Sequence, residues 1–242
     1  MDGYEAATYG DRIAGVYDSW YAGANERTIA VLSELAGPGP VLELGVGTGR
    51  VALPLSERGV EVFGIDASAA MLDRLGEKPG ADRIRTTVGD FSVFKMGRRF
   101  ALVYVVFNTF FALVDQSSQL DCFRSVANHL MPGGRFLLEC FVPDLARFDR
   151  NQRMGTSRVG DRQVVLEASR HHPASQRVES QHVILGSEGN ELIPVSIRYV
   201  WPAEMDLMAH IAGFELEKRS GGWAGEPFDD MSNTHVSVYR LR

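Results

Sequence analysis

Five short β-rich runs, separated by helical patterns, constrain this chain more than any other feature. The β-rich runs stand at Pro40–Leu44, Val60–Ile65, Ile84–Val88, Ala101–Phe107 and Arg135–Phe141. Between them the spacing predicts helices over Arg50–Arg58, Ala67–Leu75 and Gln116–Leu130. In the last of these, Leu120, Phe123, Val126, Ala127 and Leu130 recur at helical intervals. Met131-Pro132-Gly133-Gly134 then stops it, since proline cannot continue a helix and glycine turns the chain. Strands apolar on both faces, alternating with helices, imply a parallel sheet covered on both sides. Upstream, Glu26–Leu35 reads as an amphipathic helix ended by Gly37-Pro38-Gly39-Pro40. Downstream the texture changes to strand-like runs at Val164–Ala168, Val178–Leu185 and Ile193–Trp201. In the last, Ile193, Val195, Ile197, Tyr199 and Trp201 fall on one face by strict alternation. These three are expected to form an antiparallel insertion. A helix over Pro202–Ala212 and strands over Glu215–Arg219 and His235–Leu241 close the chain. The expectation is one α/β domain, residues 1–242. It comprises an N-terminal helical segment (1–39), a cofactor-binding core (40–141), a β-rich lid (145–201) and closing elements (202–242).

Charge and composition narrow the partners. The formal net charge of −6 argues against a nucleic-acid partner, whose phosphates want a basic face, and Gly97-Arg98-Arg99 is only a short basic run. The N-terminal MDGYEAATYGDR is polar and acidic, unlike a signal or transit peptide. The longest apolar run, Phe100 to Phe107, suits a buried strand and not a membrane span. The chain therefore reads as cytoplasmic, with no membrane partner. The two cysteines, Cys122 and Cys140, form no C-x-x-C pair, so neither zinc nor a disulfide framework is expected.

Gly45, Gly47 and Gly49 fall where the first parallel strand ends and its helix begins, the end at which open α/β sheets bind ligands. Gly45 allows a sharp turn, and Gly47 lets a ligand touch the main chain. About twenty residues on, the strand Val60–Ile65 ends in Asp66, an acid able to accept both hydroxyls of a ribose. The third strand runs into Val88-Gly89-Asp90-Phe91, a carboxylate for an exocyclic amine and an aromatic face for a base. Asp66 as a helix cap and Phe91 as core are the plainer alternatives. A dinucleotide fits poorly, because Arg50 stands where the pyrophosphate fingerprint has its third glycine. Glu43, just before the turn, would also repel a phosphate, whereas it would attract an amine or sulfonium. An adenosine carrying positive charge and no phosphate fits better.

These residues resemble the class I S-adenosylmethionine-dependent methyltransferases. Glu43-Leu44-Gly45-Val46-Gly47-Thr48-Gly49 is similar to that family's first motif. Gly64-Ile65-Asp66-Ala67-Ser68-Ala69-Ala70-Met71-Leu72 resembles the second, with Asp66 on the ribose and Met71 against the adenine. Gly89-Asp90-Phe91 resembles the third, and Leu130-Met131-Pro132-Gly133-Gly134-Arg135 the turn before the fifth strand. Val16-Tyr17-Asp18-Ser19-Trp20-Tyr21 is similar to the segment that lies over the cofactor in small-molecule members, which places Tyr17 and Tyr21 there. The resemblance implies a Rossmann-like, seven-stranded and mostly parallel sheet with helices on both faces, its last strand, His235–Leu241, antiparallel. It implies S-adenosylmethionine as cofactor and a small-molecule acceptor, an amine or hydroxyl, the overall look resembling small-molecule methyltransferases, including aminosugar N-methyltransferases. Val106-Phe107-Asn108-Thr109-Phe110-Phe111 stands in place of an Asn-Pro-Pro-Tyr motif, which weakens a nucleic-acid substrate further. An NAD-dependent oxidoreductase and a non-catalytic binding protein remain as other classes, and a homodimer stays open.

A sulfonium methyl is already activated, so catalysis is expected to rest mainly on positioning the acceptor. Glu139, a carboxylate in the apolar run Phe136–Phe141, needs a partner if buried, either an acceptor or a backbone amide. His171 and His172, after the first insertion strand, are the histidines nearest a lid, while His129, His182 and His235 read as ordinary. Phe107, Phe110, Phe111, Phe141 and Trp201, with Asn108, could wall the site, Phe107 next to the cofactor and the others toward the acceptor.

Overall fold

Val41–Leu44 (β1) is buried along its whole length, as a strand covered on both faces must be. In the computed structural model, which describes every residue except Asp2, Ala22 and Glu188, it lies near the middle of a seven-stranded sheet. Three helices precede it: α1 (Thr8–Ile13), α2 (Tyr17–Trp20) and α3 (Glu26–Ala36). It is followed by α4 (Ala52–Glu57), β2 (Val62–Asp66), α5 (Ala69–Gly76), β3 (Ile84–Val88), β4 (Phe100–Val105), α6 (Gln116–His129) and β5 (Leu130–Phe141). Four further strands come next: β6 (Gln152–Val159), β7 (Gln163–His172), β8 (Arg177–Gly186) and β9 (Gly189–Arg198). Then α7 (Pro202–Ile211), β10 (Phe214–Ser220) and β11 (Thr234–Leu241) complete the chain.

The large sheet runs β10-β11-β5-β4-β1-β2-β3. Strands β1 to β5 are mutually parallel, and β11 enters antiparallel between β5 and β10, as the resemblance implied. Alternation sends Leu42, Leu44, Val103 and Val105 into one core layer, with Phe123, Phe136 and Tyr239. It sends Val41, Leu102 and Tyr104 into the other, with Ile29, Leu32 and Leu55. The chain passes from α6 straight into β5, so Met131-Pro132-Gly133-Gly134 lies within the strand rather than before it.

The remaining strands form a separate antiparallel sheet, β6-β7-β8-β9, of four strands where three were expected. Strand β6 escapes detection because it is an edge with no buried apolar face; Met154 and Val159 are 71% and 78% exposed. Trp201 lies beyond β9, immediately before α7, and so leaves the apolar face assigned to it. The short helices α1 and α2 carry no period long enough to read, yet both are firmly docked. At Gly10 a Cβ would stand 2.5 Å from the Ser68 Cβ, so only glycine lets α1 approach α5 this closely. Ser68 Oγ donates to Asp11 Oδ1 there at 2.6 Å. Asp18 of α2 accepts from Thr48 Oγ1 at 2.6 Å and pairs with Lys78 Nζ at 2.7 Å, which ties α2 to the glycine turn.

Candidate active site

The glycine turn after β1 is shaped by close approach. Gly45 has φ +70°, and a Cβ on it would meet Thr109 Cγ2 at 2.4 Å. Gly47 has φ +54°, and its missing Cβ would meet only the flexible end of Met71, Cε, at 3.1 Å. Asp66, at the end of β2, holds this turn through Oδ2, which accepts from the Gly47 N–H at 2.8 Å. Its Oδ1 accepts from the Ser68 N–H at 2.9 Å. The cap of α5 is Ser68, whose Oγ accepts from Met71 N at 3.1 Å. Burial raises the Asp66 carboxyl above its ordinary value, and the two backbone donors pull it back.

These strand ends open into a cavity of about 460 Å³, within the range of small-ligand sites. Tyr17, Tyr21, Glu43, Gly45 and Gly47 line it, as do Asp66, Ala67, Met71, Asp90 and Phe91. Phe107, Asn108 and Phe141 complete the expected residues that reach it. Both readings of Phe91 hold, since it lines the cavity and is buried in the core.

Glu43 carries the most unusual electrostatics. It is 3% exposed, and Oε2 accepts from the Tyr104 hydroxyl at 3.0 Å. Burial pushes its carboxyl up to about 8, against the pull of that hydrogen bond and of the Arg50 charge. Arg50 also lines the cavity, with its guanidinium 4.2 Å from the centre of the Phe107 ring. Tyr21 meets the same ring edge-on at 5.1 Å.

Several expected site residues stand elsewhere. Gly49 and Gly89 do not line the cavity; a Cβ on them would meet Leu75 and Leu53, and Ile65, so their smallness serves packing. Phe111 is fully buried core against Phe141, and Trp201 is 40% exposed outside the cavity. His171 sits one layer behind the wall, stacked on Phe148 at 4.8 Å with Nε2 3.0 Å from the Tyr199 hydroxyl. His172 faces away and pairs with Glu179 at 3.3 Å. Of the other histidines, His129 bonds Met96 N and Ser125 O, while His235 is buried in β11 and pushed down to about 4 by that burial.

Glu139 has a backbone partner rather than an acceptor. Its Oε2 accepts from Phe107 N at 2.8 Å and its Oε1 from Trp223 Nε1 at 2.7 Å, so neither oxygen is free of the protein. Both Phe107 and Asn108 are left-handed, at φ +58° and +63°. The Asn108 N–H reaches the Glu139 carbonyl at 3.1 Å, and Asn108 Oδ1 accepts from Phe141 N at 2.7 Å. Glu139 therefore clamps the turn that presents Phe107 to the cavity. Glu139→Ala would leave the partly buried Trp223 indole and the more exposed Phe107 N–H without their acceptor and is expected to cost about 1 kcal/mol or more of stability. Thermal unfolding measures that loss, and Glu139→Gln, which keeps an acceptor for Phe107 N, should lose less. An unchanged melting temperature for Glu139→Ala would contradict the clamp.

The antiparallel sheet supplies a wall that sequence reasoning undervalued. Glu167 of β7 and His182 of β8 are direct cross-strand neighbours, and both line the cavity. His182 makes no side-chain hydrogen bond among the described residues, and its Nδ1 is enclosed. Its ring meets Trp20 edge-on at 5.8 Å. Burial holds the imidazole below its ordinary pKa, with Glu167 pulling it partly back. The available signal was the alternation Val178, Ser180, His182, Ile184, which puts a histidine on an otherwise inward face. Tyr4 and Tyr9 of the N-terminal segment also line the cavity and carried no motif.

A family model described as a methyltransferase domain matches residues 41–134. The cypemycin N-terminal methyltransferase of a Streptomyces species is 34% identical over 82% of this chain and 81% of its own length. The CcbJ methyltransferase structure from Streptomyces caelestis is 41% identical, with a TM-score of 0.93 over 98% of this chain and 99% of that one. The amino pentose methyltransferase CalS10 from Micromonospora echinaspora shares the fold at 21% identity, with a TM-score of 0.65 over 99% of this chain and 93% of that one.

Proposed function

The chain belongs to the S-adenosylmethionine-dependent methyltransferases, and we propose that it methylates the nitrogen of a small-molecule amine of the natural-product type. S-adenosylmethionine, the family's cofactor, supplies an electrophilic methyl group on a sulfonium. The residues present fit it: the cavity is lined by a glycine turn open at Gly47, with the buried carboxyl of Glu43 and the half-buried carboxyl of Asp66 beside it. Asp66 would take the ribose hydroxyls, and Met71 and Phe91 would flank the adenine. Asp90 would accept its exocyclic amine, Glu43 would face the cationic end, and Tyr17, Tyr21 and Phe107 would cover the reacting end.

The observation that carries the amine reading is the Glu167–His182 pair on the opposite wall. A carboxylate draws an ammonium group in, and a neutral imidazole accepts a hydrogen bond from the free amine. Once the amine has lost its proton its lone pair is nucleophilic, and fixing that lone pair's direction supplies most of the rate. A hydroxyl acceptor would need a stronger base than an imidazole held below its ordinary pKa. Carboxylates aside, the lining offers beside His182 only the guanidinium groups of Arg50 and Arg147, which carry no acceptor lone pair. The relative named for N-terminal methylation supports the same reading. The chain would then work as one catalytic unit, with α2 and the antiparallel sheet as the lid over a strand-end site.

Paired acceptors of one skeleton, differing only in an amino or hydroxyl group, test the reading with a ¹³C-methyl donor. Label on nitrogen alone is expected; label on oxygen alone contradicts it.

The raised Glu43 carboxyl makes a second prediction. A group whose folded pKa is raised stabilises the protein most below its unfolded pKa and loses that contribution as pH rises through the folded value, here about 8. At pH 7 Glu43 is mostly protonated, and a cation placed beside it favours the carboxylate. Cofactor binding at pH 7 should therefore release protons, measured by calorimetry in two buffers of different ionisation enthalpy. Glu43→Gln should abolish the release; release unchanged in that variant would refute the assignment.

A further inference from the structure

We propose that a cationic cleft beside the cavity receives an anionic group, a phosphate or a carboxylate, carried by the acceptor; this rests on the amine-acceptor reading above. The cleft, about 900 Å³ and open to solvent, is lined by Arg147, Arg150, Arg153 and Arg170, together with Asp149 and Glu179. Four guanidinium groups gathered in one place are unexpected in a chain of net charge −6.

The two carboxylates do not neutralise them. Glu179 is engaged by the Met1 ammonium, which also lines the cleft, at 2.5 Å, and by His172 at 3.3 Å and Arg177 at 3.4 Å. Among the described residues Arg147, Arg150 and Arg170 form no ion pair. Arg153 Nη1 is buried without a hydrogen-bond partner, its nearest carboxylate oxygen being Glu167 Oε2 at 3.7 Å. Arg153 is thus loosely paired with Glu167, while the guanidinium forks of Arg147, Arg150 and Arg170, which form no ion pair among the described residues, suit planar oxyanions, which such forks bind two hydrogen bonds at a time.

The cleft is joined to the cavity. Arg147 and Ser180 line both, and Arg153 of the cleft approaches Glu167 of the cavity wall. An acceptor with its amine at Glu167 and His182 would therefore have an acidic substituent within reach of the arginines. The substrate class this names is an amine that also carries a phosphate or carboxylate, bound at both ends. Orientation then follows from charge, since reversing the molecule would set its anion against Glu167.

Calorimetric titration of the full chain loaded with S-adenosylhomocysteine tests this, using inorganic pyrophosphate and, separately, succinate at constant ionic strength. Saturable one-to-one binding of at least one anion is expected. The Arg150→Gln/Arg170→Gln variant, changed only at exposed positions, should bind it at least tenfold more weakly, with S-adenosylhomocysteine affinity within twofold of wild type. Saturation by pyrophosphate alone identifies a phosphate group, and saturation by succinate alone a carboxylate. If neither anion saturates, or the variant binds as wild type does, the cleft has no such role. Amine methylation without anion binding would remove this proposal and leave the amine reading standing. Anion binding with transfer to hydroxyl acceptors alone would do the reverse.

Discussion

Asp66→Ala is expected to raise the dissociation constant for S-adenosylmethionine about a hundredfold, roughly 2.7 kcal/mol. Two losses combine. A charged acceptor for the ribose is removed, worth about 1.5–3 kcal/mol. The Gly47 and Ser68 amides, held at 2.8 and 2.9 Å, also lose the side chain that fixes the turn. Asp66→Asn keeps one acceptor oxygen and should fall between the two. Calorimetry at fixed pH measures all three proteins. An alanine variant that binds within threefold of wild type would show that the ligand does not lie on this strand end.

The second large effect is kinetic. His182→Phe fills the same space without a hydrogen-bond acceptor and is expected to slow turnover at saturating cofactor and acceptor about a hundredfold, the low end of what a positioned acid–base group supplies. Cofactor affinity should change little, because His182 belongs to the opposite wall. Glu167→Gln should act mainly on the acceptor, raising its KM about tenfold, since the lost carboxylate attracts the charged amine before reaction. The pH profile separates a positioning role from a structural one. The imidazole is held below its ordinary pKa, so it stays neutral to a lower pH than a free histidine. Turnover should rise with pH as free amine appears, and the acid limb set by His182 should be missing in His182→Asn. Full activity in His182→Phe would remove the residue from the reaction.

The legible part of the candidate site is the strand-end half, where we place the cofactor, for a physical reason. Gly45, Gly47, Asp66 and Asp90 each follow or end a β-rich run, and in a parallel sheet those ends converge on one edge. Spacing along the chain thus maps directly onto spacing in the cavity. Smallness alone does not say what a glycine faces. Gly49 belongs to the first motif and Gly89 to the third, yet their missing Cβ atoms would meet leucine and isoleucine side chains rather than ligand space.

The half we propose for the acceptor was hidden because it is built by long-range pairing. His182 reaches the cavity only because β8 pairs with β7 in the register that sets it opposite Glu167, and because that face turns inward. A slip of β8 by one residue would turn His182 outward while Glu167 stayed on the wall. His171, on the same strand as Glu167, is drawn instead into an aromatic stack behind the wall. Glu139 shows a related ambiguity: a carboxylate in an apolar strand must have a partner, but sequence cannot tell a substrate from the Phe107 amide and the Trp223 indole. The edge strand β6 lacks an apolar face and left no pattern to read.

Titration of wild type and Gly47→Val with S-adenosylhomocysteine tests most directly the claim that the cavity at the strand ends holds the methyl donor. Gly47 lines that cavity, and only the movable Met71 Cε lies near the site of a new Cβ. The left-handed backbone there makes valine unfavourable by about 1–2 kcal/mol, which a chain of this size can bear. Wild type should bind one ligand per chain at micromolar concentration, about −8 kcal/mol. Gly47→Val, with a native circular dichroism spectrum, should show no saturation at a hundred times that concentration. A folded Gly47→Val protein that binds as tightly as wild type would contradict the account.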